Sequence, residues 1–146
     1  MDIDYQTFEA GDFTCLPAMS NGCAASIGYI ADHIPRKDSV VVLATGIDAE
    51  GKQEVAGYIL ATANHDGVFI HNVHVQEIYR RNYVATGMLT HLVDMVDHGM
   101  GSRPIKLFVA DNNAAGIACY LANGFHQQAR IPNCREANVA TLLMTL

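Results

Sequence analysis

The chain has 146 residues, of which 50% are hydrophobic, and this size and composition predict one domain over residues 1–146 with a proper apolar core. Its formal net charge of -6, with only nine Lys and Arg, argues against a nucleic-acid partner, which would need a basic surface. No apolar run approaches the ~20 residues that cross a bilayer, and the N-terminus lacks the pattern of a secretion signal, so we expect a cytoplasmic protein without a membrane partner.

The first half of the chain predicts a strand, one or two short helices and then an antiparallel meander. Residues 2–8 read as a strand, and the apolar residues between positions 13 and 33 have helical spacing that ends at Pro35. Three further strands are separated by the turn-rich segments D-A-E-G-K and N-H-D-G, which predict hairpins. These strands are Val40–Thr45, Glu54–Ala63 and Val68–Val75.

The most informative stretch is the one in which the last of these strands gives way to a helix. Val73 and Val75 are apolar at strand period, and the apolar residues from Val84 onward have helix spacing that continues to His98. Free backbone N–H groups and two guanidinium groups therefore stand at a helix N-terminus, which makes a candidate pyrophosphate cradle. Many strand-to-helix junctions look like this without binding anything, so the pattern alone is not specific. The cradle residues are Arg80, Arg81, Asn82, Tyr83, Val84, Ala85, Thr86 and Gly87.

The remainder of the chain predicts a crossover and two closing strands. Ile105–Val109 is an apolar strand, and a strand-helix-strand connection of this length is right-handed and makes its two strands parallel. Asn112 or Asn113 caps the next helix. Strands over residues 125–130 and 139–146 complete a mixed α/β sheet, and the last strand is a candidate edge through which two subunits would pair as a homodimer.

Two motifs, one at the junction and one in the following helix, carry a family resemblance. The run R-R-N-Y-V-A that begins at Arg80 is similar to the pattern Q/R-x-x-G-x-G/A, and N-A-A-G-I-A-C-Y-L-A-N-G-F, which ends at Phe125, is similar to N-x-x-A-x-x-x-Y-x-x-x-G-F. Together they resemble the GNAT superfamily of acetyl-CoA-dependent N-acyltransferases over roughly residues 39–130. Gly116 stands where the family commonly has Ala. Tyr83 stands where it has Gly, so its side chain must point away from the phosphates or stack over the nucleotide.

The resemblance implies a fold and a way of holding acetyl-CoA. In the GNAT arrangement the meander is followed by the parallel crossover, and the two central strands splay apart around the pantetheine arm. The main-chain groups of Val73, His74 and Val75 would pair with pantetheine as an added strand does, while the cradle from Arg80 to Gly87 would hold the pyrophosphate. Asn113 would touch the cofactor arm, although helix capping alone explains an asparagine at this position.

The resemblance also assigns a general acid. Tyr120 matches the tyrosine of the second motif, and its phenol, with a reference pKa of about 10, can protonate the departing thiolate. The alternative is a tyrosine that packs its ring in the core and hydrogen-bonds a backbone carbonyl. The context of the motif favours the catalytic role.

A histidine is the candidate base that removes a proton from the incoming ammonium. His71 lies on the same strand face as Val73 and Val75, and some family members carry a strand histidine that acts as base four residues before the position of Val75. A polar strand residue without a catalytic role is the competing interpretation. His74 points to the opposite face unless a bulge changes the alternation, so His74 and water remain alternative bases.

No metal or thiol chemistry is predicted. The four cysteines lack C-x-x-C or zinc-type spacing, so reduced thiols are expected. Cys119 has no charged or histidine neighbour at helical spacing that would lower its pKa, and it is predicted to be a core residue. His91, Asp94 and His98 share a helix face, which is expected to be solvated rather than metal-binding.

The predicted function is transfer of an acetyl group from acetyl-CoA to a primary amine, by direct attack in a ternary complex, because the sequence has no activated nucleophile for a covalent intermediate. A small metabolite amine, an antibiotic, a polyamine and a protein amine all fit as acceptors. The alternative function is a non-catalytic acyl-CoA-binding or regulatory module of the same fold. Release of free CoA on addition of amines would distinguish the two.

Overall fold

The computed structural model describes residues 2–9, 39–96, 104–136 and 139–146. Within them the chain forms strands, two α-helices and one short 3-10 turn, which are numbered in chain order. The elements are β1 Asp4–Glu9, β2 Ser39–Ile47, β3 Gln53–Asn64, β4 Gly67–Val75, the 3-10 turn Glu77–Tyr79, α1 Val84–Met95, β5 Ile105–Ala110, α2 Ala114–Ala122, β6 His126–Glu136 and β7 Val139–Thr145.

The strands form one mixed sheet in the order β1-β2-β3-β4-β5-β7-β6. β1 to β4 make the predicted antiparallel meander, and β4 and β5 make the predicted parallel pair. The two turn-rich segments of the sequence form the turns of the β2–β3 and β3–β4 hairpins. Asp and Asn side chains stabilise these turns by accepting hydrogen bonds from nearby backbone N–H groups. The predicted α/β fold class is confirmed.

The parallel pair at the centre of the sheet is short. β4 pairs with β5 only from Val68 to Ile70, whereas it stays paired with β3 as far as Val75. Beyond Ile70 the two strands diverge, so one edge of the second half of β4 faces no strand within the described residues. This divergence is the predicted splay of the central strands.

β7 does not lie at an edge of the sheet. It is paired with β5 on one side and with β6 on the other, and Ala140, Thr141, Leu142 and Met144 are buried. A run of buried residues is what an interior strand shows, because it is covered on both faces and both edges. The predicted route to a homodimer through this strand is therefore wrong.

Both helices are explained by local signals in the sequence. The apolar stripe of α1, formed by Val84, Met88, Leu89 and Leu92, is buried against the sheet. α2 begins where the Asn113 side chain accepts a hydrogen bond from the backbone N–H of the residue three positions later, at 3.0 Å, so the second of the two candidate caps is the correct one.

Several predictions fall outside the described residues. The one or two helices predicted between positions 13 and 33, and the continuation of α1 to His98, belong to this group. Neither described helix combines the length and the apolar composition that crossing a membrane would require.

Candidate functional site

A cavity of about 490 Å³ opens where β4 ends and α1 begins, and α2 forms its second wall. Seven of the twelve residues predicted to bind the cofactor line this cavity, together with four that were not predicted. The predicted residues that do not line it are Val73, His74, Asn82, Gly87 and Asn113. The lining residues are Val75, Tyr79, Arg80, Arg81, Tyr83, Val84, Ala85, Thr86, Ala118, Cys119 and Ala122.

The N-terminus of α1 faces this cavity without a cap. Among the described residues no side chain caps this end of the helix, and the first hydrogen bond of the helix runs from the Gly87 N–H to the Tyr83 carbonyl. The N–H groups of Val84, Ala85 and Thr86 consequently have no partner inside the helix. A helix N-terminus also carries a partial positive charge, so this wall of the cavity favours an anion.

Two arginines stand beside the open helix end. Arg80 and Arg81 are both exposed, and neither forms an ion pair within the described part of the chain. Arg80 Nε donates a hydrogen bond of 3.1 Å to the Val75 carbonyl, which ties the side chain to the end of β4. Asn82 Nδ2 lies 3.1 Å from the Arg80 carbonyl and closes the turn. The remaining guanidinium donors are available for a phosphate.

The turn between the arginines and the helix has a left-handed backbone. Arg81 has φ 66° and Tyr83 has φ 58°, and both values lie in the region that favours glycine. The Tyr83 side chain is 82% exposed although it borders the cavity. Left-handed backbone is a reason for the glycine that the family motif has at this position, and here an exposed Tyr83 stands at the border of the cavity.

Gly87 is explained by packing rather than by ligand approach. It does not line the cavity, and a Cβ on Gly87 would collide with the phenol of Tyr5 in β1. The Tyr5 ring also stacks on His91, at 6.4 Å between centroids, so part of the α1 face predicted to be solvated packs against β1. No group of three or more described His, Cys, Asp or Glu residues is arranged to hold a metal ion.

β4 contains one extra residue relative to β3, and that residue is His71. Ile70 and Asn72 lie opposite consecutive residues of β3, so His71 between them has no partner in the register. A bulge of this kind reverses the alternation of faces along the strand. It therefore decides which side chains of β4 face the cofactor side of the sheet.

The bulge corrects the prediction that His71 shares a face with Val73 and Val75. His71 Nε2 lies 3.0 Å from Thr62 Oγ1, and its ring centroid lies 5.1 Å from that of Phe69. Thr62 and Phe69 are cross-strand partners on one face of the sheet, whereas Val73 and Val75 pack against the core on the other face. His71 therefore lies on the opposite face from the cofactor cavity.

His74 shares the face of His71, contrary to the prediction that the two point to opposite sides. Its ring lies 5.5 Å from that of Tyr58, its partner in the register, and Tyr58 and Thr62 point to the same side of β3. The two imidazoles thus flank the splay on the face away from α1. Neither ring lines the cavity.

Tyr120 lies on α2 beside the cavity wall but is not itself a lining residue. Its ring packs edge-on against Phe125, with the centroids 5.8 Å apart, and it contacts the core. Burial, and secondly the neighbouring Cys119, raise the pKa of the Tyr120 hydroxyl. The hydroxyl forms no hydrogen bond with any described residue, and the role of Tyr120 as the general acid stays a prediction.

Three of the four lining residues that were not predicted belong to α2. Ala118 and Ala122 are small residues one turn apart, a spacing that could have identified this helix face as the wall of a close-fitting site. Cys119 is half-buried, and burial raises the pKa of its thiol, as expected for a thiol without nucleophilic activation. Asn123 Nδ2 donates to Thr86 Oγ1 at 3.2 Å and joins the end of α2 to the start of α1.

Gly116 lies directly beside the side chain of Asn113, which caps α2. A Cβ on Gly116 would lie 2.7 Å from the Asn113 amide nitrogen, so the glycine makes room for the capping side chain. The cap accounts for the side chain of Asn113, and contact with a cofactor remains a prediction. Tyr79, the fourth unpredicted lining residue, had no sequence signal beyond its place directly before Arg80.

Comparison with known proteins gives a family and a fold. The Acetyltransferase (GNAT) family profile matches residues 15–125. A GNAT-family protein from Desulfovibrio desulfuricans superposes with a TM-score of 0.74 at 14% identity, covering 99% of this chain and 98% of that chain. The ribosomal-protein-S18-alanine N-acetyltransferase from Escherichia coli superposes with a TM-score of 0.73 at 18% identity, covering 99% and 93%.

A third similar structure contains a ligand. It is a Bacillus anthracis protein described as a streptothricin acetyltransferase, in complex with acetyl coenzyme A, with a TM-score of 0.71 at 13% identity and coverage of 100% of this chain and 98% of that chain. No curated protein sequence matches the chain. These likenesses establish the fold, and the profile match establishes the family.

Proposed function

Because the chain belongs to the GNAT acetyltransferase family and is an acetyltransferase, we propose that it transfers an acetyl group from acetyl-CoA to a primary amine by direct attack in a ternary complex. The observation that carries the proposal is the uncapped N-terminus of α1, which faces a cavity beside Arg80 and Arg81. A pyrophosphate is the part of acetyl-CoA that such a wall would hold.

In this proposal the nucleotide end of acetyl-CoA binds mainly to backbone groups at the N-terminus of α1. The N–H groups of Val84, Ala85 and Thr86 donate to the pyrophosphate, and the two arginines add charge-assisted hydrogen bonds. Small side chains at Ala85, Ala118 and Ala122 support this placement, because they let the ligand approach both helices closely.

The pantetheine arm runs along the second half of β4. The edge of β4 beyond Ile70 faces no strand among the described residues, so the main-chain groups of Val73 and Val75 can pair with an extended ligand. The main-chain groups of His74, between them, face Tyr58 of β3 instead, so His74 is not part of this pairing. In this proposal the backbone N–H of Val75 donates to the thioester carbonyl and stabilises the oxyanion that forms there.

The chemical step forms a C–N bond and breaks the C–S bond. The neutral amine nitrogen attacks the thioester carbon, and the departing thiolate takes the proton of the Tyr120 hydroxyl. The raised pKa of the Tyr120 hydroxyl supports this role, because the hydroxyl keeps its proton at neutral pH and can donate it when the thiolate leaves. The ammonium proton leaves to His71, and His74 or water are the alternative acceptors.

The position of His71 sets the direction from which the amine arrives. The cofactor fills the α1 side of the splay, and His71 lies on the other side, where its Nε2 contacts Thr62. The acceptor therefore enters from the face opposite the cofactor. We propose no class of acceptor narrower than a primary amine, because the structurally similar enzymes differ in their acceptors. One is a ribosomal-protein-S18-alanine N-acetyltransferase, and another is described as a streptothricin acetyltransferase.

A thiol-release assay over a broad amine panel tests the function. We expect acetyl-CoA to yield free CoA when the panel contains the acceptor, at a rate proportional to enzyme. Binding of acetyl-CoA without release of CoA by any amine would contradict acetyl transfer and indicate a binding module.

Arg80→Ala should raise the Kd for CoA about tenfold by removing phosphate contacts. Arg130→Ala is the matched control, because Arg130 pairs with Asp111 outside the cavity.

A further inference from the structure

Tyr79 joins the interior of the protein to the phosphate-binding turn. It is the last residue of the 3-10 turn, directly before Arg80, and its side chain is 2% exposed whereas that of Ile78 is 71% exposed. Its carbonyl accepts a hydrogen bond from Asn82 Nδ2 at 3.3 Å, and its side chain borders the cavity. Any movement of the Tyr79 ring would therefore move the start of the cradle.

The Tyr79 hydroxyl is held by a carboxyl from a distant part of the chain. It donates a hydrogen bond of 2.5 Å to Oε1 of Glu54, 25 residues earlier, at the start of β3. Glu54 is 8% exposed and does not line the cavity. Burial, followed by this hydrogen bond, raises the pKa of Tyr79 to about 12, so the phenol remains a donor throughout the neutral range. A buried carboxyl is costly without such a partner.

A glycine in β2 makes the space that the phenol occupies. Gly46 lies opposite Glu54 in the register of β2 and β3. A Cβ on Gly46 would lie 2.5 Å from the Tyr79 hydroxyl oxygen and 2.8 Å from the ring. Two positions in neighbouring strands, Gly46 and Glu54, are thus fitted to the Tyr79 side chain, although the catalytic chemistry uses neither of them.

The turn that follows Tyr79 needs an anchor of this kind. Left-handed backbone is strained at a residue other than glycine, because the Cβ crowds the main chain. Arg81 and Tyr83 both adopt it, and the exposed Tyr83 ring contributes little packing to hold it. The buried side chains at the two ends of the turn are Tyr79 and Val84, each 2% exposed. Tyr79 fixes the β4 end, and Val84 fixes the α1 end.

We propose that Glu54 is a positioning residue for cofactor recognition: acting through Tyr79, it holds the turn from Arg80 to Tyr83 in the conformation that grips the pyrophosphate of acetyl-CoA. This inference rests on the proposed function, because it takes the cavity to be the coenzyme site. It assigns phosphate affinity, and no part of the acyl chemistry, to a residue that does not border the ligand cavity.

Comparison of two ligands separates positioning from general stability. CoA contains the pyrophosphate, whereas pantetheine carries the same thiol arm without it. For Tyr79→Phe and for Glu54→Ala, we expect the Kd of CoA to rise about tenfold, while the Kd of pantetheine stays within about twofold of wild type. Glu54→Gln keeps an acceptor oxygen and should recover most of the affinity. The double variant should bind CoA no more weakly than either single variant, because one interaction is removed in each case.

Tyr58→Phe is the matched control. Tyr58 is a buried tyrosine on the same strand as Glu54, 6% exposed, and does not line the cavity. This variant should leave both dissociation constants unchanged, whatever stability it loses. Wild-type affinity for CoA in Tyr79→Phe, or an equal loss of CoA and pantetheine, would overturn the inference. Failure of the wild-type protein to bind CoA would instead refute the proposed function.

Discussion

At the scale of single residues, Tyr83 is the departure from the family pattern that the structure explains most directly. The motif has glycine at this position, and the tyrosine here keeps the left-handed backbone, with φ 58° and ψ 24°. A side chain with a Cβ is strained in this region, whereas glycine is not. The sequence comparison indicated that the position was unusual, and the backbone geometry supplies the reason.

Substitutions at Tyr83 measure this backbone strain. Tyr83→Gly and Tyr83→Ala both remove the exposed ring, so the difference between them isolates the Cβ. We expect the glycine variant to have the larger free energy of unfolding, by about 1 kcal/mol, in urea titration. An alanine variant as stable as the glycine variant would show that residue 83 does not adopt left-handed backbone in solution.

Tyr120 can be tested by removal of its hydroxyl alone. Tyr120→Phe should lower kcat about 100-fold, because general acid catalysis is worth that much, while the Kd of acetyl-CoA stays within about twofold. The acid is active when protonated, and burial raises its pKa above the ordinary value, so activity should not fall with increasing pH through this group until beyond about pH 10. An unchanged kcat in the variant would remove Tyr120 as the acid.

At the scale of elements, alternation and turn chemistry were sufficient to predict most strands. The hairpins around Asp48 and Asn64 follow from side chains that stabilise tight turns, and α2 follows from its asparagine cap. The bulge at His71 was not predicted, because neither Gly nor Pro marks it, although the inward apolar positions change phase from Val68 and Ile70 to Val73 and Val75 across two successive polar residues. Its consequence for the site is large, since it moves an imidazole to the opposite face.

The role of His71 as the base can be tested by substitution, because its side chain lies on the face opposite the cofactor cavity and its removal should leave cofactor binding intact. A neutral imidazole accepts the ammonium proton in the proposed mechanism. His71→Ala should therefore lower kcat/KM about 100-fold by removing the base. His65→Ala is the control, because His65 is an exposed histidine that contacts Asp66. A His71 variant with wild-type kcat/KM would assign proton removal to His74 or to water.

At the scale of the whole molecule, the order of the strands determines where the site can lie. Pairing of β4 and β5 over only three residues leaves one opening in the centre of the sheet, and α1 and α2 meet beside it. The mixed sheet and its parallel crossover were predictable from connection length and handedness. The interior position of β7 was not predictable, because an apolar run is equally compatible with an interior strand and with an exposed edge strand that pairs with another subunit.

Ligand binding should also be visible in the stability of the whole chain. A ligand that binds only the folded state at a hundredfold excess over its Kd adds about 2.7 kcal/mol to the free energy of unfolding. That measurement would show binding without locating it. The location depends on the uncapped α1 N-terminus, which is the basis of the functional proposal.

A crystal structure of the chain with bound CoA therefore tests the account most directly. We expect the pyrophosphate on the N–H groups of Val84, Ala85 and Thr86, with Arg80 beside it and the pantetheine arm along β4 beyond Ile70. Coenzyme bound elsewhere, with the cavity between α1 and α2 empty, would contradict it.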